Sequence, residues 1–100
     1  MTLLSITQSI SAQKQKLQAF GLRRIGIFGS IAREESTPTS DIDLLLDFDP
    51  TKKTYKKFFA STVFLENLLK RPIDAVTPQA LSPYLKPHID KDITYVEISN

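Results

Sequence analysis

Apolar residues recur along this chain at two different periods, and the periods divide it into helices and strands. Leu4, Ile6, Ile10, Leu17 and Phe20 fall roughly on one stripe, so Leu3 to Phe20 is expected to be a helix, with Gly21 as its stop. Arg23 to Phe28 ("RRIGIF") is short and β-rich and predicts a first strand. Gly29 and Ser30 break it. Ile31 to Glu35 is expected to form one or two helical turns, with Ser30 placed to cap them. "STPTS" at 36–40 reads as a loop. Asp41 to Asp47 predicts a second strand, wet at its start and apolar through Leu44, Leu45 and Leu46.

Lys52 to Lys70 predicts the longest helix, with Tyr55, Phe58, Phe59, Thr62, Leu65 and Leu69 as its core-facing stripe. Arg71 to Val76 reads as a third strand and Pro78 to Leu85 as a helical turn. Pro83 and Pro87 are expected to interrupt the segment beyond it, before a last strand at Ile93 to Ile98. The order predicts a small α/β or α+β fold: one mixed β-sheet packed with helices. The strand after the long helix is expected to lie parallel to an earlier one.

Composition narrows the class. One hundred residues, 41% hydrophobic and 24% charged, suit one domain spanning 1–100. A net charge of +2 argues for neither nucleic acid nor membrane. The chain has no cysteine, so disulfides and thiolate metal sites are excluded. The N-terminus lacks the pattern of a signal peptide, and no apolar run approaches the ~20 residues of a membrane span. A cytoplasmic protein is expected.

The candidate chemistry lies in "IFGSIAREESTPTSDIDLLLDF", residues 27–48. Asp41 and Asp43 are two apart on a strand, so they share a face with Cα atoms about 6.6 Å apart. Such a pair repels itself unless a hard cation such as Mg²⁺ relieves it. Asp74, in the third strand, joins them if that strand pairs with the second. Three carboxylates of this kind can hold two metal ions, activate an attacking oxygen and neutralise a leaving pyrophosphate. Asp74 is also placed to act as general base or to orient the nucleophile. Gly29 permits close backbone approach to a ligand, and Ser30 adds a hydroxyl and an N–H suited to phosphate. Arg33 follows one turn later, near the anion or an acidic neighbour.

These residues carry a resemblance. "GSIAREESTPTSDID" resembles the Gly-Ser, spacer, Asp-x-Asp signature of the DNA polymerase β-type nucleotidyltransferase superfamily. The "GLRRIGIFGS" lead-in, the later "RPIDAV" and the short chain resemble its minimal nucleotidyltransferase branch, across about Leu17 to Ile98. The resemblance implies a polymerase β-like core, with ATP held by Gly29, Ser30 and Arg33. It implies Mg²⁺, as two ions, held by Asp41, Asp43 and Asp74. It also implies an antitoxin that transfers AMP to a tyrosine of a cognate HEPN-domain ribonuclease toxin, within a homo- or hetero-oligomer. Glu34 and Glu35 depart from the family pattern and put negative charge beside the phosphate turn.

Two other functions remain open on sequence: an inactive module that neutralises its partner by covering it, and nucleotide transfer to RNA or a small molecule. Larger relatives that do the latter use further domains to hold the acceptor. Lys52, Lys53, Lys56 and Lys57 form a basic start to the long helix, readable as a solvated face or as a docking site. No interleaved aromatic pattern for base stacking is read there, so direct nucleic-acid binding is not expected. Asp47 and Asp49 are expected to be solvated, Asp74 alternatively to pair with Arg71 or Lys70, and His88 to be structural or exposed. Tyr55, Tyr84 and Tyr95 read as core-edge residues.

Overall fold

The computed structural model describes residues 2–99. The N-terminal helix divides in two: α1 (Leu3–Ser11) and α2 (Lys14–Ala19), separated at Gln13 with φ −111° and ψ 23°. A capping box starts α1. The Ser5 amide donates to Thr2 Oγ1 at 3.1 Å, and the Thr2 amide to Ser5 Oγ at 3.0 Å. No proline or glycine forces the break. Its effect is that α1 packs on α4 (Tyr55–Leu69) and β4 (Thr94–Glu97), whereas α2 packs on β1 (Leu22–Phe28). Ile6, Ile10 and Leu17 are fully buried, but Leu4 is exposed and Leu3 packs inward instead. Gly21 ends α2 at φ +89°, a backbone conformation that favours glycine.

Four strands form one sheet in the order β3-β2-β1-β4, with β2 spanning Ile42–Phe48 and β3 spanning Ile73–Val76. β1 runs antiparallel to both β2 and β4. β3 runs parallel to β2 through α4, the one pairing direction that the sequence predicts. Alternation sorts the strand residues onto two faces. Ile25, Ile27, Ile42, Leu44, Leu46 and Phe48 join the core beneath the helices. Full burial of one such side chain contributes about 1.5–3 kcal/mol. Asp43, Leu45 and Asp47 turn to the other face. That face carries the charged groups, because α1, α2 and α4 take only the apolar side.

The long helix starts later than its lysines suggest. Asp49 accepts from the Thr51 amide at 3.0 Å and the Thr51 hydroxyl at 2.8 Å, which folds residues 49–52 into a turn. Thr54 then caps α4 by accepting from the Lys57 amide at 3.1 Å. The helix is also rotated from its expected stripe. Ser61, Leu65 and Leu69 face the core, while Tyr55 and Phe59 are 84% and 61% exposed. Ser61 is tolerated there because its hydroxyl donates to the Lys57 carbonyl at 2.7 Å.

A 3₁₀ turn at Pro78–Ala80 and a further helix, α5 (Lys86–Asp92), precede β4. Pro87 initiates α5 rather than interrupting it, since its missing N–H is not needed in a first turn. Tyr84 is 86% exposed, so neither Tyr55 nor Tyr84 is a core-edge residue. His88 is exposed. No helix among the described residues is long and apolar enough to cross a membrane.

Candidate nucleotide and metal site

The register of the sheet assembles the site. Phe28, at the end of β1, is the partner of Asp43 on β2, and Asp43 is the partner of Asp74 on β3. Partnered residues share a face, so Asp43 and Asp74 stand side by side on the open face. Asp41 precedes β2 by one residue and is exposed, as is Asp74, whereas Asp43 is half-buried. Burial pushes the Asp43 carboxyl above the usual carboxylate range. The charges of Asp74 and then Asp41 push it the same way, and Arg33 opposes them. Asp43 is thus the centre of the acidic group.

Gly29 closes the site from β1. Its φ of +75° suits glycine, and a Cβ built on it would lie 2.1 Å from Asp43 Oδ2. No other residue fits there without displacing that carboxylate. The chain then enters α3 (Gly29–Ala32), a single turn with Phe28 at its N-cap position and no side-chain cap. Ser30 lies inside this turn rather than at its cap. Past the C-cap Arg33, Glu34 adopts φ +60°. The Glu35 amide donates to the Ser30 carbonyl at 2.8 Å and the Glu34 amide to the Ile31 carbonyl at 3.1 Å. This is a Schellman closure with glutamate where glycine is usual. Arg33 forms ion pairs to Glu35 at 3.2 Å and to Asp92 of α5 at 3.7 Å.

Arg71 has a role that the sequence does not disclose. Instead of pairing with Asp74, its Nη2 donates to the carbonyls of Thr37 (3.0 Å) and Ser40. Thr37 and Ser40 also bond each other, with the Thr37 amide donating to Ser40 Oγ at 2.9 Å. Arg71 therefore ties down the loop that delivers Asp41. Only the "STPTS" composition hints that this loop needs an anchor. Asp47 is likewise not solvated. It is 5% exposed and accepts from both Arg23 and Arg24 at 3.0 Å, with Arg24 stacked 3.9 Å over the Tyr95 ring.

The acids fit a divalent cation by donor chemistry. Among the described residues no group of three acidic or histidine side chains is placed to hold a metal ion by itself. Mg²⁺ does not need one, since it binds through one or two carboxylates while keeping waters and substrate phosphates. The mutual repulsion centred on Asp43 is what such an ion would relieve.

Comparison with known proteins gives the family. The nucleotidyltransferase domain model matches residues 9–96. A Methanocaldococcus jannaschii chain assigned as a protein adenylyltransferase is 37% identical over 99 residues, covering 96% of this chain and 100% of its own length. The protein adenylyltransferase MntA of Thermococcus cleftensis is 34% identical over 97 residues, covering 96% and 97%. A solved structure assigned as a minimal nucleotidyltransferase superposes with a TM-score of 0.68 at 26% identity, covering 94% and 95%. The same fold occurs in a toxin–antitoxin crystal structure with AMP-PNP (TM-score 0.67, 20% identity, covering 86% and 71%). It occurs again in a complex of tri-AMPylated Shewanella oneidensis HEPN toxin with its MNT antitoxin (TM-score 0.62, 19% identity, covering 90% and 71%). With its Gly-Ser turn and paired strand aspartates in a four-stranded mixed sheet, this chain belongs to the nucleotidyltransferase domain family, in its minimal branch.

Proposed function

We propose that this chain is an antitoxin that transfers AMP from ATP to a tyrosine hydroxyl of a cognate HEPN-domain toxin. The observation that carries the reading is the side-by-side placement of Asp43 and Asp74, with Gly29 against the Asp43 carboxylate. Its kinship to a protein adenylyltransferase supports AMP as the group moved and a protein as acceptor. The toxin complexes of the same fold support the nature of that acceptor.

Each residue then has a task. Gly29 lets the backbone reach the triphosphate, and Ser30 offers it a hydroxyl and an N–H. Arg33 exchanges Glu35 and Asp92 for phosphate. Asp41, Asp43 and Asp74 would hold Mg²⁺, as two ions with nucleotide present. Bound there, Mg²⁺ would supply charge to offset the leaving pyrophosphate and to polarise the α-phosphorus. Asp74 orients the tyrosine and accepts its proton as the new O–P bond forms and the bond to pyrophosphate breaks.

Intact-mass spectrometry of the cognate toxin after incubation with the chain, Mg²⁺ and ATP tests this. A gain of one or more AMP groups is expected, and none with Asp43→Asn. An unchanged toxin mass with the wild-type chain overturns the reading. Neutralisation that persists in the Asp41→Ala, Asp43→Ala double variant would assign the chain to binding alone.

A further inference from the structure

One face of α4 is left over once the core and the acidic site are accounted for. Tyr55, Phe59 and Val63 recur every four residues and are 84%, 61% and 41% exposed. At 100° per residue they form one strip, turned away from buried Ser61, Leu65 and Leu69. The strip runs into an apolar cleft of about 450 Å³ between the first turn of α4 and the end of β3, walled by Tyr55, Phe58, Val76 and Ala80. Contiguous exposed apolar surface of this kind marks an interaction site.

We propose that this strip and cleft receive an amphipathic helix of the acceptor protein, one with an acidic flank. The charge argument fixes the occupant. Lys52, Lys53 and Lys56 are exposed at the start of the strip, and none forms an ion pair among the described residues. Lys53 reaches only Gln79, at 3.2 Å. Cations at a helix N-terminus oppose the helix dipole, so Lys56 and Lys57 gain nothing from their own helix. Glu66, the one acid on α4, is occupied with the Ile73 amide at 3.3 Å. A second copy of this chain in a two-fold contact would set these lysines against each other. Single-stranded nucleic acid would use the lysines and aromatic rings, but not Val63 or the apolar walls of the cleft.

Position links the surface to the chemistry. Val76 lines the cleft and lies two residues beyond Asp74, about 6.6 Å away along the strand. A helix seated in the cleft lies against α4 and the end of edge strand β3, the strand that carries Asp74 on its other face. The inference rests on the proposed function only in taking the docked protein to be the acceptor.

The test uses fluorescence anisotropy with the full chain and three probes. These are a helical peptide with leucines at i, i+4 and i+7 flanked by glutamates, its lysine-flanked counterpart, and a single-stranded oligoribonucleotide. The acidic peptide is expected to bind saturably, about tenfold more weakly to Phe59→Ser and to the Lys53→Glu, Lys56→Glu double variant. Both variants are expected to bind Mg-ATP as the parent does, and Asp43→Asn to bind the peptide normally. Phe59 and the lysines are exposed, so these variants test docking and not folding. No binding of the acidic peptide, equal binding of the basic one, preferential capture of RNA, or a parent dimer that Phe59→Ser dissociates would each overturn the proposal. Peptide binding with no AMP transfer to the toxin would leave docking intact and remove the enzymatic reading. Transfer that is unaffected in both docking variants would do the reverse.

Discussion

Asp43 holds its proton more tightly in the folded chain than an ordinary aspartate, because it is half-buried between two other carboxylates. With the folded value raised, the associated stabilisation is present below the usual carboxylate range, about pH 4, and is lost as pH rises through the raised value. At neutral pH, without metal, the ionised group therefore destabilises the fold. Asp43→Asn is expected to melt at a higher temperature than the parent at pH 7, and the gap to close towards pH 4. Thermal unfolding in chelator across that range measures it. A less stable variant at pH 7 would make the carboxylate a structural partner instead. Gly29→Ala should act oppositely, costing about 2–3 kcal/mol in urea unfolding through its positive φ and the collision with Asp43. Glu34→Gly relieves a left-handed residue at a helix end and should add about 1 kcal/mol, or about 5 °C in melting temperature.

Among the elements, the loop before β2 depends on a side chain from the connection between α4 and β3. Arg71→Met removes both bonds to the Thr37 and Ser40 carbonyls and should cost about 2–3 kcal/mol. It should also raise the Mg²⁺ concentration needed for half-maximal AMP transfer, since Asp41 is no longer delivered in place. Loss of stability with an unchanged Mg²⁺ requirement would confine Arg71 to holding the loop. The strands themselves are legible in the sequence, as is the acidic pair, because alternation and the Gly-Ser spacing are local signals. The face of α4 is not: phenylalanine and tyrosine at helical spacing read as core, and Phe59 and Tyr55 are turned outward by the packing of Leu65 and Leu69. Arg71 and Asp47 are missed for a related reason. Their partners are distant in sequence, and an exposed-looking charge gives no sign of the carbonyl or guanidinium it will meet. The start of α5 is missed because a proline is ambiguous between breaking a helix and beginning one.

The whole chain has a Cα radius of gyration of 12.6 Å, close to the ~13 Å expected of a folded domain of this length. Among the described residues, the acids stand on the sheet face that α1, α2 and α4 leave uncovered, with Asp41 and Asp74 exposed to an incoming partner. The chain alone should therefore bind Mg-ATP yet release pyrophosphate slowly, and adding the cognate toxin should raise that release severalfold or more. A pyrophosphate assay with and without the toxin checks this; equal rates would mean that the chain completes its own acceptor site. The parallel pairing of β2 with β3 also bears on how the molecule comes to exist. β1 and β2 are joined through α3 and a loop, but the whole of α4 lies between Asp43 and Asp74, so the two acids meet only when that longer crossover closes. On the proposed function, magnesium nucleotide would reward completed folding by mass action, and a newly made chain would stay silent until its third strand had docked.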